Sequence, residues 1–130
     1  VAKSKIENFK NREKELKSIR EMVDEAISIL QVEHRSLDEF GQLLHESWLF
    51  KRSLSDKISN SEIDGMYEAA LQAGAIGGKL LGAGGGGFLL IFAKPEQHSA
   101  IRTTLSHLVH VPFKFDNSGS RVVLYQPYGL

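Results

Sequence analysis

Gly77-Gly78-Lys79-Leu80-Leu81-Gly82-Ala83-Gly84-Gly85-Gly86-Gly87-Phe88 runs straight into Leu89-Leu90-Ile91-Phe92-Ala93, and the reading of this stretch decides the fold. Seven of the 12 glycines lie in it. Glycine loses more backbone freedom on folding than any other residue, so such density marks positive φ angles or the close approach of a backbone. Gly82, Gly84 and Gly87 fit G-x-G-x-x-G, but a dinucleotide fingerprint opens a helix, whereas Phe88 to Phe92 has the composition of a buried strand. A Walker A loop needs Lys-Ser/Thr after its last glycine, and here Phe88-Leu89 follow. What remains is strand, glycine loop, strand. Lys79 to Leu81 runs in, Gly82, Ala83, Gly84, Gly85, Gly86 and Gly87 turn, and Phe88 to Ala93 runs out. Consecutive N–H groups in such a turn make an electropositive nest for a phosphate or another anion. A hairpin loop with no ligand has the same spacing, and both readings stand at this point.

Upstream, Ala2 to Gln31 contains neither proline nor glycine, and Leu16, Ile19, Val23, Ala26 or Ile27, and Leu30 recur at the spacing of one helical stripe. The stripe thins to Ile6 and Phe9 before Leu16, and charges of both signs crowd Lys3 to Arg20. Ser36-Leu37-Asp38-Glu39 fits a capping box, so a second helix starts there, with Leu37, Phe40, Leu44 and Trp48 on one face. Gly41 inside it costs up to about 1 kcal/mol relative to alanine and leaves room for another backbone or a ligand. Ser59-Asn60-Ser61-Glu62 repeats the capping signal for a third helix through Ile63, Met66, Tyr67, Ala70 and Leu71, which Gly74 ends. Asp38, Glu39, Glu62 and Asp64 all fall in first turns, where the helix dipole favours acids, and read as caps.

Downstream, Pro95 suits the start of a fourth helix whose buried stripe is Ile101, Leu105 and Leu108. Val111, Phe113 and Phe115 alternate as a strand, Asp116 to Ser120 is rich in turn formers, and Val122 to Tyr125 reads as the partner strand. The order predicts an α+β domain over residues 1–130, with helices on one face of a four-stranded antiparallel sheet.

Four side chains, Trp48, Lys51, Arg52 and Lys79, are singled out for binding. His45, Trp48 and Arg52 share a helical face at i, i+3 and i+7, and Lys51 lies about 100° round from Arg52. In one reading they are a core tryptophan with solvated bases beside it. In the other, Lys51 or Arg52 points into a cleft with Trp48 as its apolar wall. Lys79, on the strand entering the glycine loop, either pairs with a phosphate or flanks the strand end. His107 and His110 are three apart but lack further ligands, so no metal site is expected. No G-x-S-x-G elbow supports a serine nucleophile.

Composition narrows the classes. Lysine and arginine number 16 against 16 acids, so no global field recruits nucleic acid or an anionic membrane. There is no cysteine, which removes disulfides and thiolate chemistry. No apolar run approaches the roughly 20 residues of a membrane span, and the charged start lacks the apolar core of a signal peptide. A cytoplasmic protein is the expectation, with self-association left open by the half-polar first helix.

Lys79 to Phe88 resembles the third, C-terminal signature of the GHMP small-molecule kinases. Leu44-His45-Glu46-Ser47-Trp48 with Lys51-Arg52, Ile63-Asp64-Gly65-Met66-Tyr67 and Ala73 to Lys79 resemble most its sugar-kinase branch acting on D-glycero-D-manno-heptose 7-phosphate, with fucose kinase near it. The similarity spans about Ser36 to Tyr125. It implies a ferredoxin-like C-terminal domain, ATP with Mg2+ as cofactors, and a sugar or sugar phosphate as acceptor. It also implies that the base at Lys51 or Arg52 holds the phosphate already on the sugar. The family's Pro-x-x-x-Gly-Leu-Gly/Ser-Ser-Ser/Ala nucleotide signature is absent from these residues. The resemblance therefore implies an N-terminal kinase domain as partner, covalent or in trans, with no catalytic residue in this chain and little turnover without that partner. A different class is a stand-alone module that binds a small anionic metabolite or a partner's backbone without chemistry.

Overall fold

Helix α1 (Glu13–Gln31) leads through a short turn into α2 (Leu37–Ser53), and α3 (Ser61–Gln72) follows in this computed structural model, which describes residues 13–55, 57–82 and 85–120. Strands β1 (Ala75–Leu81) and β2 (Phe88–Ala93) come next, then a 3-10 turn (Pro95–Gln97) and α4 (His98–Thr104). The helical stretch expected before Glu13, with Ile6 and Phe9, lies outside the described residues.

The capping box of α2 forms as its residues dictate. Ser36 accepts from the Asp38 N–H at 3.1 Å, and Glu39 reaches back to the Ser36 N–H at 3.1 Å. Such caps are each worth about 1 kcal/mol. At α3 the cap is Asn60, which accepts from the Ile63 N–H at 2.9 Å. Ser59, one residue earlier, turns its hydroxyl to Asp64 instead. Gly74 ends the helix with a φ of +101°, in the left-handed region that glycine enters without strain.

The α1 stripe is rotated from the expected one. Ile29 is buried, with Leu16, Ile19, Met22 and Ala26 partly covered, while Val23 is 56% exposed and Leu30 59%. Arg35 ties α1 to α2 by pairing with both Glu25 and Glu39. The core is Trp48, Leu54, Ile58, Ile63, Tyr67 and Leu80, drawn from α2, the 54–60 connection, α3 and β1.

β1 and β2 pair antiparallel, with Leu81 opposite Phe88, Leu80 opposite Leu89 and Ala75 opposite Ala93, and a bulge between Ala75 and Gly77. The helices and the antiparallel pairing agree with the α+β expectation, but four strands do not form among the described residues. The sheet there is two-stranded. Val111, Phe113 and Phe115 are exposed and carry no strand pairing. A strand exists only through its ladder of hydrogen bonds. Pro112 donates none, and the partner expected at Val122 to Tyr125 lies outside the described residues. Val111 and Phe113 instead line a groove of about 1170 Å³ whose other walls come from α3, β1, the glycine loop, β2 and α4. α4 is also shorter than expected: Ile101 is buried and Leu105 partly so, but Leu108 lies beyond the helix.

Candidate functional site

The site is built where α2 crosses β1. A Cβ on Gly77 would stand 2.0 Å from the Gly41 carbonyl oxygen, so two glycines let helix and strand touch backbone to backbone. The room left at Gly41 itself is taken by side chains, Phe92 Cδ1 at 2.6 Å and Ile76 Cγ2 at 2.7 Å from where its Cβ would stand, and not by the backbone or ligand that its place inside α2 suggested. One turn along α2, His45 Nδ1 and the Tyr67 hydroxyl of α3 are hydrogen-bonded at 2.7 Å with their rings stacked. The Gly78 N–H also bonds the Tyr67 oxygen. Helices α2 and α3 therefore both hold the strand that enters the glycine loop.

The loop joins Leu81 to Phe88, and Ala83 and Gly84 within it lie outside the described residues. Gly82, Gly85 and Gly87 take φ values of +110°, +75° and +131°, which accounts for glycine at these three positions. The Gly85 N–H donates to the Ile58 carbonyl at 3.1 Å, docking the loop on the 54–60 connection. A Cβ placed on Gly86 would meet no atom within 4 Å, and the residue is exposed. The loop thus has one anchored amide and open space beside it.

The four singled-out side chains separate. Trp48 is fully buried, against Tyr67 edge to face at a centroid distance of 6.3 Å. It is a core residue and turns no face to a cleft, because the helical face it shares with His45 and Arg52 packs towards α3. Arg52 Nη2 donates to Asp64 Oδ2 at 2.8 Å, and Ser59 Oγ donates to Asp64 Oδ1 at 2.6 Å. Lys51, round the helix from Arg52, reaches β1, its Nζ donating to the Leu80 carbonyl at 3.4 Å. That carbonyl is two residues from Gly82. Lys79 is part-buried on β1. Among the described residues no group of three potential metal ligands comes together, and no helix is long and apolar enough to cross a membrane.

The order of three helices, a glycine-joined antiparallel pair and a fourth helix can now be set against known proteins. The model of the GHMP kinase C-terminal region matches residues 26–107. The chain belongs to the GHMP kinase C-terminal family. This GHMP domain is 36% identical over 88 residues to the D-glycero-alpha-D-manno-heptose 7-phosphate kinase of Campylobacter jejuni subsp. jejuni serotype O:2, covering 65% of this chain and 25% of that protein. It is 43% identical over 61 residues to the bifunctional fucokinase/GDP-fucose pyrophosphorylase of Arabidopsis thaliana, covering 47% of this chain and 6% of that one. In fold it is similar to L. major mevalonate kinase, solved with R-mevalonate, with a TM-score of 0.65 and 24% identity over 81% of this chain and 32% of that one. The chain thus spans about a quarter of the length of the heptose 7-phosphate kinase that it matches.

Sequence reading of the GHMP domain missed three contributors. Asp64 and Ser59 read as cap residues and Tyr67 as part of a stripe, and the i to i+5 spacing of Ser59 and Asp64 gives no local signal. Asp64 and Tyr67 take their partners Arg52 and His45 from α2, more than ten residues away. Tyr67 also carries a pH signature. Burial pushes its phenol from 10.0 up to about 12, against a smaller opposing effect of the Gly78 N–H. Below pH about 10 the phenol is protonated in both states, and above it the unfolded chain loses its proton first. The stability that Tyr67 contributes is therefore complete below pH 10 and is lost as pH rises towards 12. Urea unfolding across that window shows this loss in the wild type, and Tyr67→Phe reduces the pH slope; an identical slope in both would remove Tyr67 as its source.

Proposed function

We propose that this domain forms the C-terminal wall of the phosphoryl-transfer cleft of an ATP-dependent sugar kinase. Its acceptor is a sugar phosphate of the heptose 7-phosphate type, and the nucleotide is held mainly by an N-terminal kinase domain, covalent or in trans. The observation that carries the reading is the position of Lys51. Its ammonium stands at the Leu80 carbonyl, at the strand end that feeds the glycine loop, while Arg52 is engaged by Asp64. From that place at the strand end Lys51 is the cation for the phosphate already on the acceptor, and Arg52 braces α2 against α3.

Gly82 to Gly87 close the cleft, and the open space at Gly86 suits a phosphate that must approach the backbone. Lys79 adds charge from β1. Trp48 supports this wall from behind. Bound ATP and Mg2+ supply the transferable phosphoryl group and its charge neutralisation. In this reading Mg2+ enters with the nucleotide, and this domain contributes contacts to phosphate. Phosphoryl transfer asks a protein mainly to position reactants and balance charge, which a loop anchored at Gly85 and a lysine beside it do.

The test is coupled ADP release by the intact kinase with Mg-ATP, offering D-glycero-D-manno-heptose 7-phosphate, fucose, galactose and mevalonate separately. Release with the heptose phosphate is expected. Lys51→Met should raise KM for that acceptor about 10- to 100-fold, the worth of a lost charge-assisted hydrogen bond, with KM for ATP nearly unchanged. Silence from a folded protein with all four acceptors would turn the reading to a binding module without chemistry. An unchanged acceptor KM would remove Lys51 from the site.

A further inference from the structure

The 54–60 connection serves two neighbours. Its Ile58 carbonyl anchors the glycine loop through Gly85. Its Ser55 and Ser59 line a separate pocket of about 510 Å³, whose other walls are Leu49, Arg52, Ser53 and Asp64. We infer that this pocket is a subsite for a neutral polyhydroxylated group, the adjacent hydroxyls of a sugar or polyol, and not for an anion.

Charge decides against the anion first. The Arg52 guanidinium and the Asp64 carboxylate are paired at 2.8 Å, so the two formal charges in the lining cancel. An entering phosphate gains little from Arg52 and is repelled by Asp64 at about the same distance.

Hydrogen-bond polarity decides next. Ser53 Oγ donates to the Phe50 carbonyl at 2.8 Å, and Ser59 Oγ donates to the Asp64 carboxylate at 2.6 Å. Carbonyl and carboxylate oxygens only accept, so both hydroxyl protons are spent inside the protein. What these two serines offer a ligand is lone pairs. The ligand must therefore bring donors, as every hydroxyl of a polyol does and a phosphomonoester dianion does not. The guanidinium carries five N–H groups and bonds Asp64 through Nη2, so it offers donors to the same ligand's oxygens. A group that both donates and accepts fits the lining. Leu49, 46% exposed, adds an apolar patch for the C–H face of such a ligand. The volume lies within the roughly 300–1,000 Å³ usual for small-ligand sites, but the lining is more polar than such sites generally are.

As the seat of the acceptor's hydroxyls, with its phosphate at Lys51, the subsite rests on the kinase reading; as a polyol site it is testable without turnover. Saturation-transfer NMR on this chain would use free heptose, sorbitol and methyl mannoside as probes, with inorganic phosphate as competitor. Transfer to at least one probe is expected, about tenfold weaker in affinity for Asp64→Asn, weakened in Ser59→Ala, and unchanged by millimolar phosphate. Ser59→Ala keeps the Arg52–Asp64 pair and decides the matter if Asp64→Asn does not fold. No transfer to any probe, displacement by phosphate, or full transfer in a folded variant would overturn the inference. ADP release by the intact kinase separates the two readings. Release without polyol transfer sinks only the subsite, and transfer without release sinks only the kinase.

Discussion

Alanine in place of Gly77 is expected to destabilise the domain by about 3 kcal/mol, the upper end of the usual cost of overpacking. The added Cβ meets the Gly41 carbonyl oxygen at 2.0 Å and lies 3.0 Å from the His45 backbone nitrogen. Both are backbone atoms of α2, so no rotamer change relieves the contact. Relief requires α2 to lift from β1, which opens the packing of Trp48 and Leu80 beneath it. Urea unfolding should show a lower midpoint at an unchanged slope, and melting should fall by roughly 10 °C. Gly41→Ala should cost less, because its Cβ meets side-chain atoms of Phe92 and Ile76 and no backbone atom, and the Phe92 ring can turn. Equal stability of Gly77→Ala and wild type would mean that helix and strand are not in backbone contact.

Valine at Gly86 is expected to give the opposite result, a loss of function with stability retained. A Cβ there meets nothing within 4 Å, and φ lies outside the left-handed region. Surface changes of this kind move stability by less than about 0.5 kcal/mol. In the intact kinase the branched side chain fills the space proposed for phosphate, and turnover should fall about 100-fold, the scale of an error of about 1 Å in positioning. Gly87→Val makes the contrast, because its φ of +131° and a Leu81 carbonyl at 2.3 Å from the added Cβ make glycine structurally necessary there. That variant should lose stability and turnover together. Full turnover by Gly86→Val would remove the loop from the reaction and leave it as a connection only.

Gly77 and Gly86 lie nine residues apart in one run, and only the fold tells their roles apart. Composition marks both as unusual; the neighbour across the space, a helix carbonyl in one case and nothing in the other, is a tertiary fact. The same holds for the charged pair on α2. Lys51 and Arg52 are consecutive, and helical geometry puts them about 100° apart, but not until α3 and β1 are in place does one meet Asp64 and the other Leu80. For α1, apolar residues occupy so broad a sector that its periodicity admits two stripes. Packing on α2 chose Ile29 over Leu30.

By itself the sequence determined what local physics can specify. Ser36 and Glu39 start α2, Gly74 ends α3, and six small residues from Gly82 to Gly87 force a hairpin between two apolar runs. It also carried enough of the GHMP signature to point to the family. Tertiary structure alone decided the burial of Trp48, the pairing of Arg52 with Asp64, the approach of Lys51 to the strand end and the docking of Gly85 on Ile58. Each of those depends on partners brought together by helix crossing, and no spacing along one helix encodes where a second helix will stand.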